Sequence, residues 1–209
     1  MDDAVNELLT LIKPYLTDKR YAHSLFVMKE AERIGNIYLP EKTDKLKVAA
    51  LLHDITKKAD FEKQLQYCEE FGIILDTDYL DSPEVLHAIT ASEVARRDFP
   101  EYVDDEILSA IRNHTTGCDG MTLFDSIICI ADYIEESRSH ESCKELRAYL
   151  YGEIKAGEDK LSVLYDSMIR MFDNTISYLI KKESTINKDT VAARNYFLRL
   201  LATRNEMRG

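Results

Sequence analysis

A chain of 209 residues, 45% of them hydrophobic, has enough apolar sequence for one sizeable domain or one domain with a terminal appendage. Its formal net charge of −11 excludes general nucleic-acid binding, although a metal and a few local bases can still focus the field on a small anion. No window is apolar over the length needed to span a bilayer, and the opening MDDAVNELLTLIKPYL is acidic and amphipathic where a secretory signal is basic, so a cytoplasmic protein with no membrane partner is expected.

With only 7 Gly and 4 Pro against frequent Leu, Ala, Glu, Lys and Ile, the chain reads as all-α. A first helix is expected over about 3–16, ended near Pro14 and Tyr15. A second starts after Asp18 as N-cap and carries Arg20 and His23. A third follows Thr43 and Asp44 and ends near Thr56, and a fourth runs from about Asp60 to Phe71 and stops at Gly72. Ser82-Pro83-Glu84 opens a fifth, with a serine cap, proline in the first turn and an acid beside it. That helix carries His87 and ends before Pro100. A sixth spans about Asp104 to His114 and a seventh about Thr122 to Arg138. Residues 142–152 and 157–182 read as further helices, and a last one starts after Asp189 or Thr190. The stripe Leu164, Met168, Phe172, Leu179 is read as core packing. Cys68, Cys118, Cys129 and Cys143 lack paired metal or redox spacing, and Cys129 reads as a core residue.

Four of the five histidines fall into a pattern with two acids. His23, His53, His87 and His114 lie on separate predicted helices, Asp54 follows His53, and Asp132 sits in the apolar run IICIADYI. Leu46, Ala49, Ala50 and His53 follow the i, i+3, i+4, i+7 spacing of one buried face, and Ile107, Ala110, Ile111 and His114 repeat it. Both histidines thus close an inward stripe at a helix carboxyl end. His87 shares a small-residue face with Ala88, Ala91 and Ala95. Any one of them alone would be a core histidine bonded to a backbone carbonyl. Asp132 decides against that for the set, because a carboxylate among Ile128, Ile130 and Ile134 costs several kcal/mol if buried unpaired. Imidazoles with carboxylates suit a divalent iron, manganese, cobalt or zinc ion, which activates water and polarises phosphoryl oxygens. A metal-dependent phosphohydrolase is therefore expected.

The stretches RYAHSLFVMKEA, KVAALLHDITK, HAITASEVA, IRNHTTG and MTLFDSIICIADYIEESR resemble the HD superfamily of metal-dependent phosphohydrolases, and within it the symmetrical bis(5'-nucleosyl)-tetraphosphatases of the YqeK type. The tail NKDTVAARNYF is similar to that branch's ending. The resemblance implies one HD-type domain over 1–209, with a motif core at about 18–138 and a helical carboxyl-terminal extension over about 142–209. It implies a metal, iron first, and hydrolysis of diadenosine tetraphosphate to two ADP. By position, His23, His53, Asp54 and Asp132 match the family's metal ligands. His87 and His114 match substrate-contacting histidines beside the metal, positions that hold a second metal in other branches. Arg20, Lys57, Thr115 and Arg138 match places near the nucleotide phosphates. The rival readings are another HD-type phosphohydrolase (a nucleoside monophosphate phosphatase or a cyclic-nucleotide phosphodiesterase), a catalytically silent nucleotide or metal sensor, and a purely structural protein. Metal number, base contacts and oligomeric state are left open, and a homodimer is compatible.

Overall fold

The computed structural model describes residues 2–208, and among them it has eleven α-helices and no strand. The helices are α1 (Asp2–Leu11), α2 (Asp18–Tyr38), α3 (Thr43–Leu52), α4 (Phe61–Glu70), α5 (Thr77–Leu80), α6 (Leu86–Asp98), α7 (Asp105–Asn113), α8 (Leu123–Ile134), α9 (Glu141–Ala156), α10 (Lys160–Lys181) and α11 (Lys188–Glu206). Helices α2, α3, α7 and α8 form the centre. There α2 packs on α3 and α8, α7 packs on α3 and α8, and α6 lies on the outer side of α7. Ile34, Leu46, Leu51, Ile111 and Phe124 fill the space between them, each at most 1% exposed. No helix is long and apolar enough to cross a membrane.

The helices begin where short polar side chains can satisfy free amides, though not always at the expected residue. Thr17, not Asp18, caps α2 by accepting from the Arg20 amide. Asp60, Asp104 and Thr122 cap α4, α7 and α8 in the anticipated places, the last as a full capping box with Asp125. Asn187 caps α11, so that helix begins at Lys188, earlier than expected. Pro14 and Pro83 start separate 3₁₀ turns at 13–15 and 83–85 in place of extending or opening an α-helix. The hydroxyl of Ser82 makes no cap bond, and α6 proper begins at Leu86. The four-residue α5, capped by Asp76, was not expected from periodicity.

Two early terminations shape the site. Helix α3 ends at Leu52 and residues 53–58 continue as turns, so His53 and Asp54 are not on consecutive helical positions. Helix α8 ends at Ile134, short of Arg138. The Glu135 carboxylate accepts from the amide and hydroxyl of Ser137, and Arg147 of α9 donates to the carbonyls of Ile134 and Glu135. These bonds replace the helical ones and turn the chain back on itself.

Helix α10 packs on α11, α9 and α8. Leu164, Met168 and Phe172 are core as expected, and Phe172 stacks on Phe197 of α11. Leu179 is only half-buried and lines a cavity. The carboxyl-terminal pair meets the His114 loop at Gly117, which has φ +66°; a Cβ there would lie 2.7 Å from Ala193 Cβ and 2.7 Å from Phe172 Cζ. Gly117→Ala combines a left-handed backbone with overpacking and is expected to cost on the order of 2–5 kcal/mol. Urea unfolding measures this, and an unchanged midpoint would contradict it.

Candidate metal centre

Three of the site histidines stand at helix ends, and the same local device orients each. His53 follows the last residue of α3 and His114 the last residue of α7; their Nδ1 atoms lie 2.6 Å from the Ala50 carbonyl and 2.7 Å from the Ile111 carbonyl, three residues back. His87, in the first turn of α6, does the same with the Glu84 carbonyl at 2.7 Å. The fourth, His23 on α2, places Nδ1 3.1 Å from Glu135 Oε1. An oxygen acceptor opposite Nδ1 favours the proton there in His23, His53 and His114, which turns a free Nε2 to the shared space; His87 Nδ1 has both the Glu84 carbonyl and, at 3.0 Å, the Lys57 ammonium beside it. Backbone carbonyls at these helix ends thus favour the tautomer whose Nε2 could ligate a metal.

Two carboxylates meet those nitrogens. Asp132 Oδ1 is 2.8 Å from His23 Nε2 and 3.8 Å from His53 Nε2, and Asp54 Oδ2 is 3.5 Å from His53 Nε2. The other Asp54 oxygen lies 3.2 Å from His87 Nε2 and 3.8 Å from His114 Nε2. The ligand atoms of His23, His53 and Asp132 all fall within 4.8 Å of one another, as do those of His53, Asp54 and His114. The Nε2 atoms of His23 and His53 are buried with no hydrogen-bond partner. The short His23–Asp132 approach is no exception when the His23 proton is on Nδ1, since neither facing atom then carries one. A nitrogen and an oxygen this close need a proton or a metal cation between them. The donor set and its orphaned nitrogens fit a divalent metal.

The electrostatics show how strongly the two carboxylates attract positive charge. Burial works against a charged His23 ring, yet the Asp132 and Asp54 carboxylates outweigh it and raise its pKa. Burial alone would raise the Asp54 carboxyl, but the imidazoles of His53, His87 and His114 hold it well below the usual range. Asp132 is likewise held low, against its burial, by His23 and Arg138. His53 is lowered by burial, and His114 is pushed down to about 3 by burial and by the rings of His53 and His87. Asp132 is less enclosed than its apolar neighbours suggest, with 21% of its side chain exposed, because its end of α8 faces a cavity.

The basic residues stand around this anionic centre. Arg20 bonds Asp54 at 2.9 Å and Arg138 bonds Asp132 at 2.6 Å, each keeping about a third of its side chain exposed (33% and 34%). Lys57 Nζ is 3.0 Å from His87 Nδ1, and Thr115 Oγ1 is 3.0 Å from His114 Nε2 and 3.2 Å from His87 Nε2. All ten residues singled out in the sequence therefore come together. The residue missed is Glu135, only 1% exposed and the partner of His23. Its signal was an acid three residues after Asp132 at an apolar helix end. A buried network behind the site was also missed. Thr56 donates to the His87 carbonyl, Gln64 donates to the Thr56 carbonyl, and Thr90 bonds Gln64. It ties the turn after Asp54 to α6.

Residues 20–137 match the HD domain family. Over 190 residues the chain is 33% identical to the symmetrical bis(5'-nucleosyl)-tetraphosphatase of Halalkalibacterium halodurans, covering 91% of this chain and 95% of that one. Over 193 residues it is 31% identical to the protein of the same name from Bacillus subtilis, covering 92% and 96%. A crystal structure of a predicted HD superfamily hydrolase involved in NAD metabolism, from Clostridium acetobutylicum, is similar with a TM-score of 0.81 and 35% identity, over 93% of this chain and 96% of that one.

Proposed function

The chain belongs to the HD domain family and is an HD-type hydrolase, and from that premise we propose that it splits dinucleoside tetraphosphates symmetrically, diadenosine tetraphosphate giving two ADP. The observation that carries the reading is the convergence of four histidine Nε2 atoms on two carboxylates. His23, His53, Asp54 and Asp132 would hold the metal, iron first, with manganese, cobalt or zinc accepted by the same mixed donors. The metal supplies Lewis acidity toward a phosphoryl oxygen and makes water a nucleophile near neutral pH. The relatives' names supply the substrate class.

This chain's own groups supply the rest. Arg20 and Arg138 neutralise Asp54 and Asp132 on one side and offer their exposed edges to phosphates on the other. Lys57 and Thr115 are donors beside His87 and His114 and can hold a phosphoryl oxygen there. A proton placed on His87 Nε2, 3.1 Å from His114 Nε2, is held between the two rings and can pass to the departing nucleotide. In the reaction, water oxygen bonds to the second phosphorus, the bond to the central bridging oxygen breaks, and that oxygen leaves with the other ADP and takes the proton.

Chromatography of the products tests this. ADP should be the sole nucleotide product, two per substrate, and in ¹⁸O-water one of the two should carry the label. Equal ATP and AMP would mean attack at an outer phosphorus and would refute the symmetrical reading. Glu135 is a separate test of the centre. Glu135→Ala frees the His23 ring from its orienting carboxylate and should weaken metal binding by about 10–100-fold, the usual loss for such a partner. Competition with a chelator of known affinity measures it; unchanged affinity would show that His23 needs no such support.

A further inference from the structure

The cluster opens on two sides. On one, a cavity of about 710 Å³ between the Ser82–Val85 turn and the end of α10 reaches Thr115. On the other, a cavity of about 390 Å³ lies over the first turns of α2 and the chain after α8. A third, of about 240 Å³, passes Asp132 and joins them, sharing Thr175 and Tyr178 with the first and Arg138 and His140 with the second. The centre thus has cavities on both sides, with a third between them.

Of the cavities beside the centre, the second is the one rich in cations. In a protein of net charge −11 it collects Lys19, Arg20 and Arg138. Its only acid, Glu135, already accepts from His23 and Ser137. Arg20 and Arg138 are paired with Asp54 and Asp132, so what the cavity offers an anion is Lys19 and the exposed edges of the two guanidiniums. The same cavity has two flat rings, the half-buried Phe26 on α2 and the exposed His140, which precedes α9 without making a side-chain cap bond. Cations beside flat rings fit a phosphate chain ending in a base.

Symmetrical cleavage makes a demand that these features meet. If attack falls at the middle of a molecule with identical ends, the metal must have nucleotide-sized room on both sides. We propose that the cavity at Lys19, Phe26 and His140 takes the second nucleoside diphosphate half of the substrate, with Lys19 and the outer edge of Arg138 on its phosphates and the Phe26 and His140 rings on its base. This rests on the dinucleotide reading given above, and it assigns work to three residues outside the metal cluster.

The test uses the metal-loaded protein with two probes, ADP and a diadenosine tetraphosphate whose central bridging oxygen is a methylene, binding being followed by calorimetry. Phe26→Ala with His140→Ala should weaken the dinucleotide analogue on the order of ten-fold or more, the usual loss on removing a stacking platform, while ADP affinity changes less than two-fold. The KM for diadenosine tetraphosphate should rise in step, with ADP still the sole product. Phe26→Leu, which keeps the apolar packing, serves where the alanine variant does not fold. Unchanged affinity for the analogue, in a protein whose wild type binds it and makes ADP, overturns the subsite and leaves the symmetrical reading standing. Equal losses for ADP and the analogue also overturn it, since the cavity would then be the first nucleotide's. A wild-type protein that neither binds nor cleaves the dinucleotide removes the reading itself.

Discussion

Asp54→Ala is expected to strip the protein of metal and activity together while leaving it folded. Asp54 lies within 4 Å of all four imidazoles, facing His23 and His53 through one oxygen and His87 and His114 through the other. Its loss should exceed the roughly 10–100-fold that removing an outer partner costs, because the bridging negative charge itself goes. His53→Ala should abolish metal binding as well, but with a second cost. His53 is fully enclosed, so the cavity left by alanine adds on the order of 2–5 kcal/mol of destabilisation, by analogy with other large-to-small core changes. Asp54→Ala is therefore the cleaner experiment. Metal content of the gently purified variant, helix content by circular dichroism and ADP release should be read on one preparation. Full metal occupancy in Asp54→Ala would sink the ligand assignment.

His114→Ala and Asp132→Ala should separate. If His114 acts on substrate, its removal should leave metal content nearly intact and lower turnover on the order of a hundred-fold or more, the usual loss for one charge-stabilising donor. Asp132→Ala should lose metal and turnover together, since no other carboxylate of α8 reaches His23 and His53, and should free Arg138 from its partner. The geometry makes this a sharp comparison. The two possible three-residue ligand sets share His53; one contains Asp132 and the other contains His114. If His114→Ala empties the site as completely as Asp132→Ala, His114 is a ligand. A two-metal centre built on both sets would then replace the single-metal mechanism.

The metal-centre chemistry was largely written in the order of residues. Periodicity placed His53 and His114 at the ends of two buried stripes, and those ends are where both helices stop. The apolar surroundings of Asp132 demanded a cationic partner, and the chain supplies Arg138 while presenting His23. Such features are legible because helical spacing fixes which residues share a face, and because a buried charge cannot go unpaired. Helix ends were less legible. Thr17 in place of Asp18, or Ile134 in place of Arg138, depends on which of several polar side chains reaches a free backbone group first.

What the sequence by itself determined was the all-α class, the approximate helix order and the identity of the residues that would have to meet. What only the tertiary structure decided was how they meet. Glu135 became the partner of His23 because α8 stops at Ile134, held there by Arg147 from α9, and swings the carboxylate toward α2. The rings are oriented by carbonyls at three helix ends and by that carboxylate, and the larger cavity is bounded by the end of α10. The physical reason is one of range. Helix propensity and amphipathic spacing act within a few turns of chain, whereas His23 and Glu135 are separated by 112 residues and meet only when the core between their helices has packed.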